Sequence, residues 1–413
     1  MENKAQQGKK PTIWNRAFIS IFFAAMFMSM AQLTAHALVP KFANSMGASA
    51  SVIGLISGLY AGVALAMRPV TSPAYDTFNK KNILAIALLM TSLSFFIFFM
   101  APNVTWILIG RAVQGLGIGV ASPISLSIAI SAVPSELYGK GVAIYSLTQA
   151  FGQAIGPSIG LALVDKVGYN KTFLFCAALM LVSAGLTRLC SDTYVAPDAK
   201  YRIRFDTIFL KQTLPAAAIM IPLLMGYSAI PSMITIYGGL LGLERIGLYF
   251  TVYAIGLLVF KPFISGLADK FGFIKVIVPG LVVYAVTFVL LGTARTLPVI
   301  IAAAVVAALG YGLCLPTAQA MCMKTAPKER SGTASNTMFF MQDIGLFLGP
   351  FFWGMIIDAF KAGGNTDVAS YSKTFYLVVI PVLLSAVLYI VFRKVLQRNY
   401  YVPKEEKKED QAS

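Results

Sequence analysis

The chain has 413 residues, 57% of them apolar and only 12% charged, against roughly 45–50% and 25% in a soluble domain. So few polar groups cannot cover the surface of a water-soluble fold, which makes the apolar excess a demand for hydrocarbon and leaves disorder a poor reading. A net charge of +16 would suit a phosphate partner, but the 33 Lys and Arg sit between the apolar runs, the pattern of loops flanking membrane spans rather than of a nucleic-acid interface.

Apolar stretches of membrane-spanning length occur near 15–38, 51–70, 82–101, 105–130, 141–164 and 172–190. Six more follow near 214–238, 246–266, 274–293, 297–321, 333–357 and 374–393. The first is too long and too weakly ended for a cleaved signal peptide and is expected to remain as span one. The expected organisation is therefore a tail (1–14), a six-helix half (15–190), a linker (191–211), a second six-helix half (212–393) and a polar tail (394–413). In the linker, Lys200, Arg202, Arg204 and Lys211 alternate with Ile203, Phe205, Ile208 and Phe209, which suits a segment lying on the membrane surface. The four cysteines, Cys176, Cys190, Cys314 and Cys322, lie in apolar runs without a CxxC pair, so no disulfide framework, metal site or cofactor is expected.

Basic residues retained near span ends mark the cytoplasmic side. Twenty-four of them fall on the side that carries both termini, seven on the other and two, Arg68 and Arg111, within or at the end of spans. Both termini are expected in the cytoplasm of a multi-pass cell-membrane protein.

One ungapped offset, 193 residues, relates Tyr60 to Tyr253, Arg68-Pro69 to Lys261-Pro262 and Asp76 to Asp269. The same offset relates Gly117 and Gly119 to Gly310 and Gly312, and Gly156-Pro157 and Asp165 to Gly349-Pro350 and Asp358. So many Gly, Pro and Asp coincidences point to two homologous halves. An offset holding an even number of spans makes them parallel repeats about an axis normal to the membrane.

With these residues the chain resembles the major facilitator superfamily of secondary transporters over nearly its whole length. Ser72-Pro73-Ala74-Tyr75-Asp76-Thr77-Phe78-Asn79-Lys80-Lys81 keeps the Asp and bases of the family's loop between spans two and three, with both glycines replaced. Asn79 can take a left-handed turn in place of one of them. The second copy, Ser265-Gly266-Leu267-Ala268-Asp269-Lys270-Phe271-Gly272, matches better. The resemblance implies an all-α membrane protein of twelve transmembrane helices in two pseudo-symmetric halves, with Asp76, Lys80, Lys81, Asp269 and Lys270 at a cytoplasmic gate. Arg111-Ala112-Val113-Gln114-Gly115-Leu116-Gly117 is similar to a signature associated with proton coupling. Gly152, Gly156-Pro157 and Gly160 resemble a pattern of the proton-driven exporters, repeated around Gly349-Pro350. Independently of the family, four-residue glycine spacing lets a neighbouring helix approach closely and proline bends its own helix, the makings of a seam that pivots.

Arg111 lies about seven residues, or ~10 Å, inside span four at 1.5 Å per residue, where an unpaired guanidinium costs at least ~2.5 kcal/mol. It must face protein or water. Asp343 is the only acidic residue well inside an apolar span, about halfway through a ~30 Å core, where its protonation would respond to cavity opening and to a neighbouring cation. Asp343 is therefore expected on a proton path, with Arg111 tuning it. His36, the only histidine, is expected near the outer surface as a solvated or gate-side group. Gln32, His36, Gln114, Gln149, Tyr311 and Gln319 are candidates for the cavity wall.

Gly54-Leu55-Ile56-Ser57-Gly58 is the sole feature like a serine nucleophile site, and it lacks a placed base. With no HExxH helix and no GxxxxGK[ST] loop in the sequence, neither an enzyme nor a self-contained ATP-driven pump is expected. The expected function is proton-coupled efflux of a small organic or amphiphilic molecule by alternating access. Proton-coupled uptake of an organic anion is the alternative. The partners are the substrate, protons and the bilayer, not nucleic acid, and a monomer is expected.

Overall fold

The computed structural model describes residues 12–134, 137–190, 209–264, 266–326 and 330–400. In chain order the helices are α1 (Arg16–Ser45), α2 (Ala50–Thr77), α3 (Lys80–Met100), α4 (Val104–Ser131), α5 (Tyr138–Thr187) and α6 (Leu214–Leu240). There follow α7 (Leu248–Ile264), α8 (Leu267–Phe271), α9 (Phe273–Thr293), α10 (Leu297–Met323), α11 (Ser331–Ala362), α12 (Asp367–Val391) and α13 (Arg393–Arg398). Ten of these helices contain a stretch long and apolar enough to cross a bilayer. One of the ten, α5, holds expected spans five and six together. Span eight is α7, whose 17 residues reach about 25 Å at 1.5 Å per residue. The chain is thus an all-helical, multi-pass membrane protein built as two six-span halves.

Polar caps set where several spans begin. The side chains of Asn15, Ser49, Asn79, Asn103 and Thr366 accept first-turn amide N–H groups of α1, α2, α3, α4 and α12, satisfying donors that the helix itself leaves open. Asn79 therefore takes another route from the left-handed turn expected of it: its φ is −60° and it works as a cap. Its repeat partner Gly272 does sit at φ 88°, a conformation glycine adopts without strain. Inside α5 only Gly168 leaves helical geometry, at φ 79° and ψ 171°, so spans five and six meet at one glycine rather than across a loop.

Three boundaries differ from the sequence reading. Helix α1 runs to Ser45 and passes through Pro40, seven residues beyond the expected end of span one, so the helix outlasts the apolar run and carries Lys41 and Asn44 with it. Residues 393–398, expected to be mostly tail, are helical with Leu396 buried, and Tyr400 packs edge-on against Phe273 at 5.9 Å. The expected surface linker lies largely outside the described residues; Phe209 and Leu210 dock onto α11, through Phe340 at 4.7 Å and a hydrogen bond from the Leu210 amide to Thr337.

Within each half a glycine stripe lies against a partner helix. A Cβ on Gly152 or Gly156 would come within 2.7 Å of Ser29 and of the Met30 carbonyl on α1, and one on Gly345 within 2.7 Å of Ile221 and Leu224 on α6. Helices α2 with α11, α5 with α7, and α1 with α6 pack across the two halves. Large apolar side chains such as Ile86, Leu93, Met100 and Val391 are exposed on the outside of the bundle, as a lipid-facing surface requires. Below, the face where α1 starts and α12 ends is the terminal face, and the opposite one the far face.

Candidate functional site

At the far face the halves are closed by backbone-directed bonds. The carboxylate of Asp358 on α11 accepts the amide N–H groups of Ala50 (3.0 Å) and Ser51 (2.7 Å) and the Ser51 hydroxyl (2.5 Å) at the start of α2. A carboxylate on open helix N–H donors is favoured by both hydrogen bonding and the helix dipole. Deeper along the same seam, Gly54 and Gly58 of α2 leave no room for a Cβ beside the backbone of Pro350 and Phe347. On the pseudo-symmetric seam, the Ser158 hydroxyl donates to the Gly247 carbonyl at 2.9 Å, and the Thr251 hydroxyl to that of Ala154 at 2.8 Å.

Further toward the terminal face the α2–α11 seam carries charge. Asp343 pairs with Arg68, Nη2 to Oδ2 at 2.5 Å and Nε to the same oxygen at 2.6 Å. Both side chains are largely enclosed, 16% and 12% exposed, and the Arg68 guanidinium lies 5.3 Å from the Phe339 ring centre. Arg111 is elsewhere. It is 1% exposed, donates to Gln114 Oε1 at 2.8 Å and to the Ala35 carbonyl at 3.1 Å, and stands 5.6 Å from the Tyr60 ring centre. No hydrogen bond or ion pair among the described residues joins Arg111 to Asp343. The cation beside the intramembrane acid is Arg68, not Arg111.

Between these levels two adjoining cavities lie at the meeting of the halves, with His36, Tyr227 and Pro231 common to both. One is walled by Gln153, Pro157, Tyr249 and Tyr253, the other by Ser57, Tyr60, Arg111 and Pro350. His36 stacks 4.7 Å from Tyr60, and Tyr227 lies nearly parallel to Tyr311 at 4.5 Å. The Nε2 of His36, the Nε of Arg111 and the hydroxyls of Tyr249 and Tyr253 are buried without a protein partner. No acidic residue lines either cavity.

The profile of the Major Facilitator Superfamily matches residues 17–244 and again 216–412. The chain belongs to the major facilitator superfamily. Among its relatives is a homolog of the multi-drug resistance efflux pump PmrA from Lactococcus lactis, 24% identical over 94% of this chain and 98% of its own. The staphylopine export protein of Staphylococcus aureus is 22% identical, over 83% and 89%, and an uncharacterised MFS-type transporter of Methanocaldococcus jannaschii 23%, over 82% and 89%. A solved bacterial homolog of the human lysosomal transporter Spinster, inward-facing and unoccupied, shares the fold with a TM-score of 0.77 at 15% identity, over 96% of this chain and all of that one. The protein is a major facilitator transporter and not an enzyme.

In this transporter the sequence candidates separate. His36 lines the cavity instead of standing solvated at the surface, because α1 continues nine residues past it. Gln114 is the buried partner of Arg111, and Tyr311 stands behind Tyr227. Gln32 and Gln319 are partly exposed and Gln149 is exposed, and none of the three lines the two cavities. At the gate, Lys80 donates to the Ser127 hydroxyl at 2.9 Å and Lys81 to the Cys190 carbonyl at 2.8 Å. Lys270 lies 5.3 Å from the Phe271 ring, while the side chains of Asp76 and Asp269 lie outside the described residues. Gly160 meets Thr34 of α1, and Gly349 meets Ser228 and Met225 of α6. Sequence reasoning passed over Arg68, Tyr227 and Tyr249. Their signal was present in part, since Tyr60 and Tyr253 are repeat partners and each lines one of the two cavities, as are Arg68 and Lys261, which both bridge the halves; the Lys261 ammonium donates to Ser146 at 2.8 Å.

Proposed function

We propose that this transporter exports a small organic or amphiphilic molecule in exchange for protons by alternating access, with Asp343 carrying the proton and Arg68 as its partner. The observation that supports this most is the position of the pair: the one acid deep in a span is bound to a cation on the opposite half, so its protonation state and the contact between halves are a single variable. Protonating Asp343 removes the charge that Arg68 holds, and α2 loses its ion pair to α11 at that level; losing the proton restores the attraction. Water leaves such a pair only weakly screened where the surroundings are apolar. Arg111 takes no part in this step. Relatives named as efflux and export proteins support the outward direction, and the lysine and arginine asymmetry supports a cytoplasmic terminal face. The test is flux in inverted vesicles under an imposed pH gradient, across a panel of organic compounds. Asp343→Asn should keep substrate binding but lose gradient-driven flux. Undiminished gradient-driven flux in Asp343→Asn would overturn the assignment.

A further inference from the structure

The two cavities carry a chemistry that the pair at Asp343 does not use. Arg111 is permanently charged and enclosed, yet its described partners are a carbonyl, an amide oxygen and a ring face, none of which carries a full negative charge. An enclosed guanidinium without a counter-ion is costly in a span, and its Nε–H has no acceptor among the described residues. The Nε2 of His36, which lines the same cavity as Arg111 and packs on the same Tyr60 ring, is likewise unpartnered among the described residues. At the other end, the hydroxyls of Tyr249 and Tyr253 are buried without a partner although both residues are no more than 4% exposed. Such orphaned polar atoms lose a hydrogen bond that water would have given them, which a ligand can restore. The walls between the two ends are aromatic: Tyr227, backed by Tyr311 at 4.5 Å, and Tyr60, packed on His36 at 4.7 Å, make a lining that suits another aromatic system.

We propose that the transported molecule is a planar aromatic acid, its acid group toward Arg111 and His36, its ring against Tyr60 and Tyr227, and a hydrogen-bonding substituent toward Tyr249 and Tyr253. This rests on the transport reading in taking the two cavities, about 20 Å³ each in this closed arrangement, as the substrate site that widens when the halves part. An organic cation meets the opposite environment, a fixed positive charge with no lining carboxylate, and is rejected.

Equilibrium binding to the full-length protein in lipid nanodiscs, without any pH gradient, tests this with three probes on one ring system: hydroxynaphthoate, the corresponding amide and the corresponding methylammonium cation. Hydroxynaphthoate should bind saturably and at least about tenfold more tightly than the amide, a difference of ~1.4 kcal/mol, with the cation weakest. Arg111→Gln should bring the acid down to the level of the amide. Tyr253→Phe removes a hydroxyl that bonds nothing in the protein, so folding is untouched, and affinity for the acid should fall about fivefold, the size of one lost hydrogen bond. No saturable binding, a cation that binds as tightly as the acid, or an Arg111→Gln protein that still prefers the acid would each overturn the proposal. Because no gradient is applied, failure of proton coupling leaves this result standing, and failure here leaves the proton assignment standing.

Discussion

At the scale of single residues, two side chains 275 positions apart in the chain, Arg68 and Asp343, make the charged contact between the halves. An ion pair in an apolar seam is asymmetric in its energetics: removing one partner leaves an uncompensated charge, at ~3–5 kcal/mol for a buried pair, whereas removing both is far milder. Arg68→Gln and Asp343→Asn should therefore each lower the melting temperature in detergent, and the double variant should recover most of the loss. If the double variant melts as low as the sum of the singles predicts, the pair contributes nothing as a pair. Asp343 was legible from sequence because charge is scarce and depth along a span can be counted. Its partner was not, since a span that is apolar all round has no periodicity to say which way Arg68 points, and Arg111, at a comparable depth, carried the family signature.

Among the elements, the glycine stripes and the far-face cap decide how closely helices approach. Gly156→Leu would drive a side chain into the Met30 carbonyl and Thr34 hydroxyl of α1, within 3.1 Å of where its Cβ would stand, and overpacking of this kind costs ~1–3 kcal/mol. Its transport should be lost while some folded protein remains; normal flux would dismiss the close seam as unimportant. Asp358 acts across the halves, so Asp358→Ala should weaken far-face closure without touching the Asp343 pair. A cysteine placed at Ala48, a partly buried far-face position whose side chain makes no bond to Asp358, should then react faster with a membrane-impermeant maleimide, and an unchanged rate would contradict the latch. The four-residue spacing of the stripes could be read directly from the sequence. The latch could not: Asp165 and Asp358 stood out only as repeat partners, and a side chain capping a helix from another half leaves no local trace. His36 was misplaced for a related reason, because hydropathy marks the apolar stretch and not the end of the helix, which Pro40 fails to break.

For the whole molecule, the duplication visible in the sequence is also the geometry of the seams, and the departure from symmetry is informative. Arg68 lies over Phe339 while Lys261 donates to Ser146, and both pairs of positions are related by 193. The position related to Asp343 is Ala150. Among the described residues one seam therefore holds a carboxylate contact and the other none, so a proton on Asp343 changes the hold between the halves on one side of the pseudo-axis. Spin labels in the purified transporter measure this directly and need no substrate: Asn44→Cys with Glu244→Cys on the far face, and Ser131→Cys with Lys324→Cys on the terminal face, all at exposed positions. Moving from mildly alkaline to mildly acidic pH should shift both distance distributions in the otherwise unaltered protein, and Asp343→Asn should show the acid-form distributions at either pH. An Asp343→Asn protein whose distances still respond to pH as before would contradict the assignment of the proton to Asp343.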